Sequence, residues 1–397
     1  MIPRTLAVTL HRLCRGFPVI VVTGPRQSGK TTLVRAAFPD KPYVSLENPD
    51  IRQFASEDGR RFLANYPDGG IFDEVQRVPE LLSYLQGVVD EDRAPGKFIL
   101  TGSQNFTLGH SISQSLAGRA GIAQLLPLSA AELDVAGILN ENINDLLFQG
   151  GYPALRTSEV TVGDWFASYV TTYIERDVRD LTAVRDLVTF QRFLRLCAAR
   201  TGQLLNLSSL AVDCGISQST ATAWLSILET SYIVFRLAPH FANFGKRLIK
   251  APKLYFHDAG LAAFLLGIHS AEQLSTHSAR PALFETMIVG EFLRDCLNRG
   301  KSVNLYFWRD STGNEVDLLR DEAGTLHSVE IKSGQTVAGD MLNGLLKWRG
   351  LARSPVGAPW LIFGGEGNYM RQDVKVMGWR EAVRKIQSAV PIGQNLV

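Results

Sequence analysis

"VVTGPRQSGKTTLV" runs from Val21 to Val34, and its reading decides the first third of the chain. The β-branched run "FPVIVVTG" (Phe17 to Gly24) has the composition of a short buried strand ended by glycine. "KTTLVRAAF" (Lys30 to Phe38) has a helical pattern and is stopped by Pro39. Between them, Gly24-Pro25-Arg26-Gln27-Ser28-Gly29-Lys30-Thr31 satisfies G-x-x-x-x-G-K-[ST]. Glycine costs conformational entropy and a buried amine costs desolvation, so an anionic ligand is the natural reason for placing them together. Successive backbone N–H groups in such a loop curl into a nest, and the helix N-terminus adds partial positive charge. Lys30 would reach the β- and γ-phosphates of a nucleotide, the Thr31 hydroxyl would hold Mg²⁺, and Thr32 continues the cradle. The alternative is an ordinary glycine turn before a helix.

Hydrolysis needs a second half, and "YPDGGIFDEVQRVPELLSYLQ" offers one. Ile71 and Phe72 end a short apolar strand, with Asp73 and Glu74 at its tip. An aspartate there accepts from the water shell of Mg²⁺. A glutamate beside it can orient or deprotonate the attacking water. The competing reading is a solvated acidic turn. A third strand, "GKFILTGS" (Gly96 to Ser103), ends in polar Ser103, Gln104 and Asn105, where P-loop ATPases with an extra central strand place a γ-phosphate sensor. Arg119 follows in a polar turn and reads either as an arginine finger, in cis or in trans, or as a surface arginine.

"GPRQSGKTTL", "IFDEVQRVPELL", "FILTGSQ", "SLAGR" and "LLPLS" together resemble a large prokaryotic family of AAA-like ATPases. Its members pair an N-terminal ATPase with a C-terminal domain of uncharacterised function. "GGYPAL", "YIERDVRDL", "KAPKLYFHDAGLAAFLLG" and "EVDLL…VEIKSG" extend the resemblance over most of the chain. It implies ATP and Mg²⁺ as cofactors, with binding and hydrolysis of ATP. It says little about the biological substrate.

The middle of the chain changes pattern. "QGGYPALR" reads as a hinge, and Gly163 to Leu181 as a long amphipathic helix with Trp165, Tyr169, Tyr173 and Leu181 on one face. Its charged residues read first as a solvated face with local ion pairs, and Arg176 or Arg179 as a further finger or sensor candidate. "LLNLSSLAVDCGISQSTATAWLSILETSYIVFRL" then reads as a helix-turn-helix. Ser208 is expected to cap one helix and Ser217 the next, with a tight turn at Cys214-Gly215-Ile216. Ala211, Ala221 and Trp224 supply core contacts. "YIVFRLAPHF" and "KLYFHD" would form a wing-like hairpin. Gln218, Thr220 and Thr222 would face outward toward DNA, with Lys246, Arg247, Lys250 and Lys253 as a basic strip for its backbone. A winged helix used only as a lid or protein contact is the other reading.

From Arg280 the order is helix, three strands, helix, strand, which resembles the core of PD-(D/E)xK nucleases. The matching residues are Asp317 on one strand, and Glu330 and Lys332 flanking Ile331 on the next. Glu285 or Glu291 on the helix would complete the set. Alternate strand residues share a face, so Glu330 and Lys332 point the same way. Asp317 and Glu330 suit Mg²⁺, and Lys332 suits a metal-bound water or phosphate charge. An active nuclease, an inactive nuclease-like binder and a simple ion pair all remain open.

Composition sets outer bounds. The chain has 397 residues, 45% apolar and 20% charged, with a net charge of +2, so more than one folded core is expected and nucleic acid is neither demanded nor excluded, since a local basic face can hide inside a near-neutral total. Cys14, Cys197, Cys214 and Cys296 are scattered without a C-x-x-C pair, which argues against a disulfide framework and for a cytoplasmic setting. The N-terminus does not read as a signal peptide, and no apolar run approaches the roughly 20 residues that span a bilayer. The expected fold is α/β. A P-loop AAA-like core (1–135) leads into a helical lid or linker (136–190), a winged-helix-like domain (191–265) and a restriction-endonuclease-like α/β domain (266–397). The expected partners are ATP, DNA and further copies of the chain if the arginine finger acts in trans, with no membrane.

Overall fold

The computed structural model describes residues 2–103, 115–174, 186–240, 250–352 and 354–387. By chain contacts it divides into two compact units: Met1–Leu128 with Thr230–Tyr232 and Cys296–Lys301, and the remainder.

The first unit is built on a fully parallel sheet. Its strands are β1 (Val19–Thr23), β2 (Tyr43–Ser45), β3 (Gly70–Asp73), β4 (Phe98–Gly102) and β5 (Ala120–Gln124), in the order β2-β3-β4-β1-β5. Every residue of β1 is buried, because helices cover both faces of a parallel sheet and leave no polar side for alternation to serve. Val19 and Val21 pack with Phe72, Phe98 and Leu100 on one face. Ile20 and Val22 pack with Leu6, Leu33 and Ile99 on the other. Each such side chain contributes about 1.5–3 kcal/mol of burial. The strand–loop–helix reading of Phe17 to Phe38 holds, with the helix at Lys30–Ala37. The insertion of β4 between β1 and β3 decides the chemistry. It brings the tip of the Gly96–Ser103 strand between the glycine loop and the Asp73-Glu74 tip, a topological switch point where ligands of such sheets collect.

The second unit carries a nine-stranded sheet in the order β13-β14-β12-β11-β10-β9-β7-β8-β6. Its strands in chain order are β6 (Gln203–Leu204), β7 (Val234–Pro239), β8 (Lys253–Phe256), β9 (Leu305–Arg309), β10 (Glu315–Glu322), β11 (Thr325–Lys332), β12 (Trp360–Phe363), β13 (Asn368–Arg371) and β14 (Val374–Gly378). The hairpin expected from "YIVFRLAPHF" and "KLYFHD" is present as antiparallel β7 and β8. β7 also pairs in parallel with β9 through Ala238–Tyr306 and Pro239–Phe307, so the hairpin and the C-terminal strands share one sheet. "PWLIFGG" is not the last strand as the sequence suggested. The antiparallel pair β13 and β14 follows, and then an amphipathic helix, Trp379–Gln387.

The helix-turn-helix pattern is realised by Leu207–Cys214 and Gln218–Thr230. Gly215 between them takes φ +69°, a left-handed conformation that glycine adopts without a Cβ penalty. The first cap is corrected. Asn206, not Ser208, accepts from the Ser209 amide at 3.0 Å, because the helix begins two residues earlier than the serine spacing implied. Ser217 caps the second helix through the Thr220 amide at 3.1 Å. Trp224 meets Phe190 and Phe193 edge-on at 5.3 and 5.5 Å. The helix expected from Gly163 runs from Val162 to Tyr169 and passes into a π-turn, Val170–Ile174. Its continuation, with Arg176, Arg179 and Leu181, lies outside the described residues. All four cysteines are free thiols. Among the described residues no helix is long and apolar enough to cross a membrane.

Candidate functional site

The glycine loop is shaped by backbone geometry that side chains resist. Gly24 has φ +146°, and a Cβ there would lie 2.1 Å from the Leu125 carbonyl oxygen. Gln27 (φ +63°) and Gly29 (φ +91°) are also left-handed, the kind of backbone from which anion-binding nests are built. Pro25 and Ser28 are buried, Arg26 is half-buried, and Gln27 and Thr32 are exposed. Ser28 Oγ donates to the Pro25 carbonyl at 3.0 Å, and Arg4, which the sequence did not flag, donates to the Ser28 carbonyl at 2.8 Å and braces the loop. Gly24→Ala is expected to destabilise the unit by about 1–3 kcal/mol or more through overpacking and strain, read as a lower urea midpoint at unchanged m. An unchanged midpoint would contradict this geometry.

Lys30 is 6% exposed, and its ammonium donates to the carbonyls of Gly24 (3.0 Å) and Pro25 (2.8 Å). Thr31 Oγ1 donates to Asp73 Oδ2 at 2.9 Å, so the two expected Mg²⁺ holders meet directly. Tyr43 donates to the same oxygen at 2.7 Å, and Thr101 donates to the other. Burial, together with the bond to Asp73, pushes the Tyr43 hydroxyl up to about 12, which keeps it a donor. Glu74 takes φ +59°, and its carboxylate is held by Gln76 and, at 3.2 Å, by Ser103 Oγ. Gln76 also donates to Ser103 at 3.2 Å. Asp73, Glu74, Ser103, Thr31 and Lys30 are thus placed around one end of the parallel sheet. Gln104 and Asn105 lie outside the described residues.

Mg²⁺ in phosphate sites takes one or two protein oxygens and completes its shell with waters and phosphate. Thr31 and Asp73 supply that kind of hard oxygen, so the residues present fit the ion. Arg119 stands in the turn before β5, where it makes a bidentate pair with Asp90 at 2.7 and 2.8 Å and donates to the Ala117 carbonyl at 3.0 Å. The Asp90 carboxylate, bonded by Arg119, is held below its ordinary range.

In the second unit a different cluster forms. Asp317 on β10 accepts from the Ile331 amide at 2.8 Å, and Lys332 bonds Glu330 and lies 3.9 Å from Asp317. Glu285 joins them; Glu291 does not. Glu291, 2% exposed, accepts from the Ala130 amide at 3.0 Å and pairs with Arg294, because six residues along a helix turn it to another face. Lys253 is a second correction. Rather than lying on a basic strip, it is 3% exposed and donates to Glu285 at 2.9 Å. It also pairs with Glu315 and lies 3.9 Å from Asp317. Of the other strip residues, Lys246 and Arg247 lie outside the described residues and Lys250 is exposed. Tyr255 donates to Glu285 at 2.5 Å, and Arg309 bonds Glu315 at 2.9 Å. Burial, then the nearby Asp317, raises the Glu285 and Glu330 carboxyls above their ordinary range. Burial disfavours the Lys253 charge, but the carboxylates of Glu285, Asp317 and Glu315 more than offset it and keep the ammonium protonated.

The sequence carried a signal for this cluster that the motif reading missed. Lys253-Leu254-Tyr255, Glu315-Val316-Asp317 and Glu330-Ile331-Lys332 are three polar pairs at period two, each astride an apolar residue of a strand.

On the helix-turn-helix, Gln218 and Thr222 are exposed as expected and Thr220 is half-buried. Thr222 Oγ1 donates to the Gln218 carbonyl at 2.8 Å, and Thr220 Oγ1 shares a hydrogen bond with Ser217.

Comparison with known proteins gives three matching family models: an AAA domain over residues 16–134, and domains of unknown function over 140–272 (DUF8612) and 280–382 (DUF4143). The chain is 33% identical over 339 residues to the uncharacterized protein Rv2008c of Mycobacterium tuberculosis, spanning 84% of this chain and 74% of the relative. The uncharacterized protein Mb2031c of Mycobacterium bovis matches with the same figures. Among solved structures, the Walker-type ATPase paby2304 of Pyrococcus abyssi is similar with a TM-score of 0.46 and 18% identity, covering 67% of this chain and 96% of that one. The ADP form of the Aeropyrum pernix ORC2 protein is similar with a TM-score of 0.34 and 16% identity, covering 58% and 85%.

Proposed function

We propose, for a chain that belongs to the AAA-like P-loop ATPase family with a C-terminal domain of unknown function, that its first unit binds and hydrolyses Mg·ATP. The observation that carries this is the direct meeting of Thr31 and Asp73 at 2.9 Å beneath the glycine loop, with Glu74 next in sequence. In this reading the loop from Gly24 to Thr32 wraps the phosphates with its backbone N–H groups, Pro25 excepted, and Lys30 supplies the mobile positive charge. Thr31 and Asp73 hold Mg²⁺, which neutralises phosphate charge when bound. Glu74 takes a proton from the attacking water, and Ser103 orients its carboxylate. Arg119 serves as finger only after leaving Asp90.

The role of the second unit is a proposal of its own. Nucleotide state would act on a winged-helix and nuclease-like module. One version of this module works on DNA. In the other it is a nucleotide-gated interaction switch whose nuclease-like centre does not cut. The self-satisfied Thr220 and Thr222 hydroxyls, the burial of Lys253 and the lysine-filled carboxylate cluster favour the second. Phosphate release with and without duplex DNA at low salt separates them. The switch predicts slow turnover unchanged by DNA. A several-fold stimulation that falls steeply with salt would support the DNA version instead. No phosphate release under any condition would remove the hydrolysis reading.

A further inference from the structure

We infer that the C-terminal centre carries its own cation: the Lys253 ammonium takes the place among Glu285, Glu315 and Asp317 that a divalent ion would fill, so the centre neither holds nor needs one. This rests on the nuclease-like reading of the cluster and is independent of whether the P-loop hydrolyses ATP.

The cluster gathers Glu285 from the helix Arg280–Asn298, Glu315 and Asp317 from β10, and Glu330 from β11. Bare carboxylates in such burial repel one another, and each is costly to desolvate. A divalent ion is one way to hold them together. This chain uses ammonium and guanidinium groups. Lys253 enters from β8 and reaches two carboxylates directly, with a third 3.9 Å away. Lys332 bonds Glu330, and Arg309 bonds the outer oxygen of Glu315. A metal ion here would have to displace Lys253, a residue only 3% exposed whose Nζ also stands 5.6 Å from the centre of the Phe307 ring. Among the described residues no group of three or more His, Cys, Asp and Glu side chains is arranged to hold a metal ion. Glu285 already spends one oxygen on Lys253 and Tyr255, and Asp317 spends one on the Ile331 amide.

The test is calorimetric titration of the full chain with Mn²⁺ in the absence of nucleotide. Wild type is expected to show no Mn²⁺ site that depends on Asp317. Lys253→Met leaves the carboxylates without their inner cation and is expected to gain one Mn²⁺ site, lost again when Asp317→Asn is added. A wild-type site abolished by Asp317→Asn but kept in Thr31→Ala would overturn the inference, as would a folded Lys253→Met protein that gains no Mn²⁺. Should Lys253→Met fail to fold, Lys253→Gln replaces it, and the wild-type titration decides without either. A parallel ATP titration reads the P-loop proposal separately.

Discussion

Replacing Lys30 by alanine is expected to weaken ATP binding by roughly 100-fold or more while leaving the fold intact. Hydrogen bonds to a charged group contribute about 1.5–3 kcal/mol each, and about 1.4 kcal/mol is tenfold in affinity. In the structure the ammonium is buried and rests on two carbonyls of its own loop, Gly24 and Pro25. Those neutral acceptors meet its desolvation cost without consuming its charge. Phosphate oxygens are better acceptors for the same donor, so the lysine can exchange loop for ligand at little cost. Alanine removes the donor and leaves both carbonyls facing the loop interior. Calorimetry with Mg·ATP measures the loss, and circular dichroism checks that the overall fold is retained. Wild-type affinity in the mutant would remove the site assignment.

The first unit is legible in sequence because its signals are local. Glycines at Gly24 and Gly29, the flanking strand and helix, and the Asp73-Glu74 tip all lie within short segments whose geometry the chain itself dictates. The order β2-β3-β4-β1-β5 could be anticipated only from the polar end of the Gly96–Ser103 strand, and it is that order which lets Thr101 and Ser103 reach Asp73 and Glu74. The second unit is less legible, because its cluster is assembled from segments far apart in sequence. Lys253 precedes Asp317 by dozens of residues, and as a lysine near other basic residues it resembles a nucleic-acid contact. Only the sheet that joins β8 to β10 through β7 and β9 reveals that it faces carboxylates. Glu291 misled for the opposite reason. It sits on the expected helix, but helical periodicity turns it to a face where the Ala130 amide and Arg294 claim it.

Glu74→Gln is expected to keep ATP binding near wild type and to lower the rate of phosphate release by roughly 10²–10⁴-fold, the usual contribution of a positioned general base. Glu74 is fixed by its left-handed backbone, by the Thr101 hydroxyl on its amide and by Gln76 and Ser103 on its carboxylate. Glutamine keeps the size and one acceptor oxygen, so the Ser103 contact and the local fold survive. It cannot take a proton; Gln76 and Ser103 donate to the same carboxylate oxygen, so a glutamine whose carbonyl oxygen takes that place keeps both bonds. Binding is expected to be spared because the proposed phosphate contacts come from the loop, Lys30 and Thr31. A single-turnover assay separates the two effects. If Glu74→Gln hydrolyses ATP at the wild-type rate, the base lies elsewhere. If it also loses binding, Glu74 supports the loop rather than the reaction. Retained affinity with blocked turnover is the result expected of a Glu74 that orients or deprotonates the attacking water.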